Sequence, residues 1–371
     1  MILLLLILTT VYLGFTAMLV FGIRRSVQRD TVDTAYRPFV SVVVPARNEE
    51  DGIVACLESL RNQTYPTERY EIILVDDHSS DRTGELAERF RTTCPNLRIV
   101  LSNENASLAG KTNALAQGID YARGELILMT DADCSVKPTW VEYVAARFAD
   151  PQLGVLGAMT VPKSNSYFKG IQSLDWMYLL GVSCATIGLK MPVSIIGNNF
   201  SVRRAAYDDV GGFRGIKKSV VEDFQLFQTI VRKKSYRHHF ALDGRITNQT
   251  HAWESFGEIF RQKHHWATGG LDLDLVGHTV FGYTLMAAGF AAHLAILLNC
   301  FWGNLLPACA AFVLKSAGDW YYLNKVAHHI GQRDQLKYYW CFAFYYLLWV
   351  VILPLFVVHS RKVTWKGRVY T

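Results

Sequence analysis

Paired cysteines are missing from this sequence. Its seven, Cys56, Cys94, Cys134, Cys184, Cys300, Cys309 and Cys341, form no CxxC pair and no zinc-like spacing, which leaves no redox motif and no structural zinc site. An odd, scattered set suits reduced thiols in a cytosolic domain and small packing residues in membrane helices. Glycine-rich phosphate loops are missing too. Without a GxGxxG turn or a GxxxxGK[ST] loop, neither a Rossmann dinucleotide site nor a P-loop is signalled. The net charge of +6 is modest, and no helix-turn-helix, RNP segment or basic-aromatic stripe accompanies it, so no nucleic acid partner is expected. Long apolar runs are absent between Arg24 and Leu271, which makes the middle of the chain a water-facing domain.

Apolar runs do occur at both ends. Ile2 to Ile23 carries no charged residue and is long enough for a bilayer core of about 30 Å. Arg24, Arg25 and Arg29 follow it, whereas a secretory signal would carry its positive charge before the run and a small-residue cleavage site after it. Residues 1–23 therefore read as an uncleaved anchor with its N-terminus outside and the following chain in the cytosol; a buried core helix is the competing reading. Val280 to Cys300, Phe301 to Leu323 and Tyr338 to Val358 also approach spanning length, making residues 271–371 a membrane region with about three apolar segments. If all three cross, the loop with Lys325, Arg333 and Lys337 is cytosolic and the tail with Arg361, Lys362, Lys366 and Arg368 is outside. If Phe301 to Leu323 is re-entrant, as Lys315 and Asp319 one helical turn apart suggest, the tail is inside. Either way the chain is expected to be an integral membrane protein with residues 36–270 as its cytosolic domain.

Within that domain, short apolar runs alternate with helical periods. VSVVVPA, EIILVDD, RIVL and ELILMTD read as strands buried on both faces. Ile53, Cys56, Leu57 and Leu60, then Leu115, Gly118, Ile119 and Ala122, recur at helical spacing, and a further helix is expected from Pro138 to Phe148. Four strand-helix repeats predict an α/β fold with a doubly wound, mostly parallel sheet. Ligands in such sheets sit beyond the carboxyl ends of the strands, where this chain places Pro45 to Glu50, Asp76 to Asp81 and Asp131 to Asp133.

Those strand ends are rich in acids. In an extended chain, residues two apart point to one side, so Asp131 and Asp133 can aim both carboxylates at a hard cation such as Mg²⁺ or Mn²⁺. A solvated turn with a capping aspartate is the alternative for DAD alone. Asp76 and Asp77 end the neighbouring strand, and two acids are more than a helix cap requires. Glu222 and Asp223 precede a helical stripe of Phe224, Phe227 and Ile230, where they would also offset the macrodipole.

In this order SVVVPARNEE, LVDDHSSDRT, GKTNAL, TDADC, the pair Glu222-Asp223 and QKHHW resemble the membrane-bound members of glycosyltransferase family 2, from about Ser41 to Trp266. The resemblance implies a GT-A fold flanked by transmembrane helices. It implies that Pro45, Arg47 and Glu49 line the nucleoside pocket, that Asp76 and Asp77 hold the uracil and ribose of a UDP-sugar, and that Lys111 lies near the phosphates. Asp131 and Asp133 fall on the metal and diphosphate motif, and Asp223 on the residue that deprotonates the acceptor hydroxyl. GNNFSVRR (Gly197 to Arg204) and GGF (Gly211 to Phe213) match the acceptor side less specifically. Where family members carry QxxRW, this chain has Gln262, His265 and Trp266 on one helical face, so a histidine replaces the permanent charge of arginine. Tyr167 to Val182, apolar and aromatic but broken by Lys169 and Asp175, reads as an interfacial helix, with a core helix as the alternative.

The expectation is therefore an inverting, metal-dependent hexosyltransferase that moves a sugar from a UDP-sugar to a lipid acceptor, resembling ceramide or carotenoid glucosyltransferases. A processive polysaccharide synthase is the runner-up, because four apolar segments are few to enclose a polymer. A nonenzymatic nucleotide-sugar-binding membrane protein is the third reading.

Overall fold

The computed structural model describes residues 1–103, 108–217, 219, 221–270, 278–359, 363–365 and 368–370, without the side chains of residues 269–270, 278–279 and 358–370. Along the chain, α1 (Ile2–Gln28) leads to β1 (Val40–Ala46), α2 (Ile53–Arg61), β2 (Tyr70–Asp76), α3 (Thr83–Arg91), β3 (Leu97–Leu101) and α4 (Gly110–Tyr121). Next come β4 (Leu126–Met129), α5 (Trp140–Ala145), β5 (Leu153–Ala158), β6 (Thr160–Pro162) and α6 (Tyr167–Gly188). β7 (Phe200–Arg203), α7 (Arg204–Asp208), α8 (Gly212–Gly215), α9 (Glu222–Lys233), β8 (Arg237–Ala241) and β9 (Asn248–Thr250) follow. The last elements are α10 (Phe256–Gly270), α11 (His278–Phe301), α12 (Leu305–His329), α13 (Tyr339–His359) and the antiparallel pair β10 (Val363–Trp365) and β11 (Arg368–Tyr370). They divide into two units: an α/β unit of Val27–Val161 and Ser194–His251, and a helical unit of Met1–Ser26, Pro162–Val193 and Ala252–Thr371.

In the α/β unit seven strands form one sheet in the order β3-β2-β1-β4-β7-β5-β8. β1 pairs in parallel with β2 and β4, β2 in parallel with β3, and β5 in parallel with β8. β7 runs antiparallel between β4 and β5, so the sheet is mostly parallel. Successive side chains of a strand point to opposite faces, and here each face has its own helices. Val42, Val44, Ile72 and Leu74 pack in one cluster with Ile53, Cys56, Leu57 and Leu60 of α2, while Ile73 and Val75 share another with Ala114 of α4. Gly118 lets α4 lie close on its face, since a Cβ there would stand 2.6 Å from Val43 Cγ1 and 2.8 Å from Val75 Cγ2. The expected helix from Pro138 is shorter as an α-helix, and its last residues tighten into a 3₁₀ turn over Ala146–Ala149.

A buried arginine ties the segment after α1 into this unit. Arg147 sends Nε to Asp30 Oδ1 and Nη2 to Asp30 Oδ2, both at 2.7 Å, and Nη2 also reaches Asp243 Oδ2 at 2.7 Å. Burial opposes ionisation of Asp30, but hydrogen bonds from His239 and Arg147 outweigh it and hold the carboxyl down at about 2.

In the helical unit α1, α11 and the segment Arg333–Val357, which includes most of α13, are long and apolar enough to cross a membrane. α6 lies against three of the helices. Gly22 of α1 closely approaches Ala185 and Gly188, Tyr322 of α12 donates to Tyr178 O at 3.0 Å, and Gly170 abuts the ring of Tyr338. α12 is one uninterrupted helix of 25 residues. Its Lys315 and Asp319, 1% and 0% exposed, pair with each other at 2.8 Å, and Tyr12 of α1 donates to Asp319 Oδ1 at 2.7 Å. The side chains of Arg361, Lys362, Lys366 and Arg368, on which the reading of the tail rested, lie outside the described residues.

Candidate functional site

The sheet order puts β1 at a switch point: the chain steps outward from β1 to β2 and β3, then returns to its other side at β4. Ligands bind such sheets beyond the carboxyl ends of the strands beside this point. Here those ends carry Arg47, Asp76 with Asp77, and Asp131.

After β1 the chain turns sharply, with Asn48 at φ 53° and His78 at φ 57° on the facing loop. The two loops interlock through Asn48 N–H to Ser79 Oγ (3.1 Å), Ser80 N–H to Asn48 Oδ1 (2.8 Å) and Glu49 N–H to Thr83 Oγ1 (2.8 Å). The paired acids have separate tasks. Asp76 Oδ1 accepts Ser79 N–H at 2.9 Å and stabilises the turn. The nearly buried Asp77 accepts Ser102 Oγ at 3.0 Å and lies 3.6 Å from Arg47 Nη1. Arg47 Nη1 also donates to Asp77 O at 3.1 Å.

The DAD stretch differs from its expected geometry. It is a turn rather than extended chain, closed by Cys134 N–H donating to Asp131 O at 3.0 Å. Asp131 and Asp133 therefore do not project to one side as in an extended strand, and the carboxylates have different partners. Asp131 Oδ1 meets Lys111 Nζ at 2.5 Å, whereas Asp133 Oδ2 lies 3.2 Å from His251 Nδ1. Cys134 Sγ donates to Asp133 Oδ1 at 3.3 Å. Ala132 is 1% exposed, and a Cβ on Gly52 would come within 3.2 Å of Asp133 Cα. Sequence reasoning missed His251. Its signal was weak, a histidine just after β9, and it reaches Asp133 because Ser135 exchanges backbone hydrogen bonds with Gln249 at 2.7 and 2.9 Å.

Glu222 and Asp223 open α9, where acids favour the helix N-terminus, and both join this cluster. Lys111 Nζ lies 3.8 Å from Glu222 Oε1, so one ammonium stands between Asp131 and Glu222. Although burial disfavours its charge, Asp131 and Glu222 hold the Lys111 pKa well above the usual lysine value. Burial, reinforced by the charge of Glu222, pushes the Asp223 carboxyl up to about 7. Gly197 gives this carboxylate its space: a Cβ at that position would stand 2.8 Å from Asp223 Oδ2.

The remainder of GNNFSVRR is occupied with holding the sheet together. Asn199 Nδ2 donates to Met159 O and Ile246 O at 2.7 and 2.9 Å, and its Oδ1 accepts Trp140 Nε1–H at 3.0 Å. Arg203 donates to Phe148 O at 2.6 Å, and Arg204 to Ala122 O at 2.6 Å. In GGF, Gly211 and Gly212 take positive φ values of 73° and 57° where the chain enters α8.

Gln262, His265 and Trp266 lie half-buried on α10, in the helical unit. A cation does face the tryptophan there, but it is Lys263, whose Nζ is 4.6 Å from the centre of the Trp266 ring. Lys263 pairs with the buried Asp175 of α6 at 2.6 Å, and Trp176 meets Trp266 edge-on at 4.9 Å. Burial pulls the Lys263 pKa below the usual value against the pull of Asp175. The charge expected of an arginine in this motif is thus displaced to a neighbouring position.

The model of glycosyl transferase family 21 matches residues 2–371 of this sequence. The chain belongs to that family. The motif resemblance points to family 2, and the two agree on a glycosyltransferase with a GT-A-like fold. Among curated proteins, the glycosyltransferase AglE of Haloferax volcanii is 30% identical over 48% of this chain and 57% of its own length. A beta-monoglucosyldiacylglycerol synthase of Trichormus variabilis is 30% identical over 71% of this chain and 55% of its own length. The chain thus spans little more than half the length of these relatives. Among solved structures, the mannosyltransferase PcManGT of Pyrobaculum calidifontis, in complex with GDP-Man and Mn²⁺, superposes with a TM-score of 0.61 at 19% identity. That alignment covers 95% of this chain and 98% of that one, a likeness of fold.

Proposed function

We propose that this chain transfers a sugar from a nucleoside diphosphate sugar, a UDP-sugar on the motif pattern, to a hydroxyl of a membrane lipid. The observation that carries the reading is Asp223, a partly buried carboxyl pushed up to about 7 in the acidic cluster beyond β1 and β4. A base of that strength is partly ionised at neutral pH and strong enough to take the acceptor's proton. With one such base and no evident nucleophile beside it, direct displacement with inversion is the simplest course. Arg47, Asp77 and the interlocked loops after β1 and β2 would receive the nucleoside, together with Pro45, Glu49 and Asp76. The Lys111 ammonium would bind a phosphate oxygen.

Asp131 and Asp133 supply hard oxygen donors, and His251 beside Asp133 adds an imidazole nitrogen, a set compatible with Mg²⁺ or Mn²⁺. Among the described residues no three His, Cys, Asp or Glu side chains are already grouped to hold an ion, so water and the diphosphate would complete the shell. When bound, the ion offsets charge developing on the departing diphosphate.

Three membrane-length helices and relatives named for glucosyldiacylglycerol synthesis support a lipid acceptor. The positive charges of Arg24 and Arg25 at the end of α1 favour that end being cytosolic. Contacts of Gly188 with Gly22, near that end, and of Gly170 with Tyr338, just before α13, support an interfacial position for α6. Gln262, His265 and Trp266, with Lys263, are then candidates for the acceptor side.

Membranes carrying the chain, incubated with labelled UDP-glucose, UDP-galactose or UDP-N-acetylglucosamine and diacylglycerol, should yield one sugar on an extractable lipid, identified by mass spectrometry. Near-normal transfer by Asp133→Ala or Asp223→Asn, or a long polymeric product, overturns the reading.

A further inference from the structure

The cation at the centre of this acidic cluster is supplied by the protein itself. Lys111 Nζ lies 2.5 Å from Asp131 Oδ1 and 3.8 Å from Glu222 Oε1, with Asp223 the next residue along α9. We propose that Lys111 is an exchangeable counter-cation, which holds Asp131 until a divalent metal and the donor arrive and then moves to the diphosphate.

Three observations carry this. First, the oxygen that meets the ammonium belongs to a carboxylate of the DAD turn, so a metal approaching it meets a like charge at contact distance. Second, Lys111 sits in the first turn of α4 on a flexible stem with its side chain 38% exposed, so it can swing without disturbing the core. Third, the other DAD carboxylate faces His251, an imidazole that can be neutral, so the competition falls on Asp131 alone. A metal entering without a nucleotide displaces Lys111 from Asp131 and leaves it only Glu222, at 3.8 Å, without the diphosphate to receive it. A diphosphate entering with the metal takes the lysine and shares the metal. Metal and donor should then bind cooperatively, each strengthening the other by the same factor. The proposal rests on the metal reading of Asp131 and deepens it.

The test is Mn²⁺ binding followed by electron paramagnetic resonance on the purified full-length chain in detergent, with and without UDP. Lys111→Met and Lys111→Gln should each bind Mn²⁺ without UDP about tenfold or more tightly than the parent, because a like charge has left the site. They should also gain less affinity when UDP is added, whereas Lys111→Arg should behave as the parent does. If both neutral variants bind Mn²⁺ no more tightly than the parent while Asp131→Asn loses it, the metal reading stands and the exchange is overturned. If Asp131→Asn binds Mn²⁺ as the parent does, the metal reading of Asp131 fails and the exchange with it.

Discussion

At Asp223 the cost of burying a carboxylate and the charge of Glu222 act in the same direction, and together they hold the acid at about 7. The base form is therefore lost as pH falls through 7, so kcat/KM should rise about tenfold per pH unit below about 7 and level off above it. Asp223→Asn should abolish this limb and lower kcat by about 10²–10⁴-fold, in assays of labelled lipid from pH 5 to 9. The same shift opposes stability. Between about pH 4, where an ordinary aspartate ionises, and 7, folded chains keep a proton that unfolded chains release, so this group favours folding less as pH rises. Gly197 belongs to the same device without bearing any charge. Gly197→Ala would press a methyl group against Asp223 Oδ2, at 2.8 Å in the present geometry. It should lower kcat while nucleotide affinity, measured by UDP titration, stays within about twofold, if Asp223 serves the acceptor as proposed rather than the nucleoside.

Among the elements, α12 is long enough for a bilayer but, unlike α1, α11 and the segment Arg333–Val357, falls short of them in hydropathy. Its 25 residues make about 37 Å of helix, more than the hydrocarbon core needs. Lys315 and Asp319 lower its average hydropathy, yet they neutralise each other inside the helical unit, while Leu306, Val313 and Leu314 face outward. Lys315→Met alone should destabilise the chain by about 3–5 kcal/mol, because it leaves Asp319 buried without its counter-ion. The double variant Lys315→Met with Asp319→Leu should recover much of that loss, as read by thermal unfolding in detergent. Equal loss in both would instead assign the stability to the Tyr12 hydroxyl and its acceptor.

For the whole molecule, the balance of charge inside α12 bears on topology. The Lys315–Asp319 pair removes the net charge from the middle of α12, and if α12 crosses together with α1, α11 and α13 the chain crosses four times. A reporter fused beyond α13 should then lie on the same side of the membrane as the N-terminus, and the loop with Lys325, Arg333 and Lys337 on the opposite side. Cysteine labelling at these positions in intact cells checks it; a cytosolic reporter beyond α13 would restore the re-entrant alternative.

Periodicity and local chemistry made part of this protein readable from its residues. Strands buried on both faces read as unbroken apolar runs, so β1 to β4 and the helices between them were legible, as were the acids at the strand ends and the membrane-length helices. Tertiary structure alone decided which of those acids share a cation and which serve the fold. Asp131 and Glu222 lie far apart along the chain, and only the fold sets Lys111 of α4 between them. His251 reaches Asp133 through a bridge between Ser135 and Gln249, Arg203 and Arg204 donate to backbone carbonyls, Arg203 pairing with Glu125 as well, and Lys263 rather than His265 stands over Trp266. Residue spacing records local geometry, whereas pairing between distant charges depends on how elements pack, and one sequence without its fold does not encode that distance in any readable pattern.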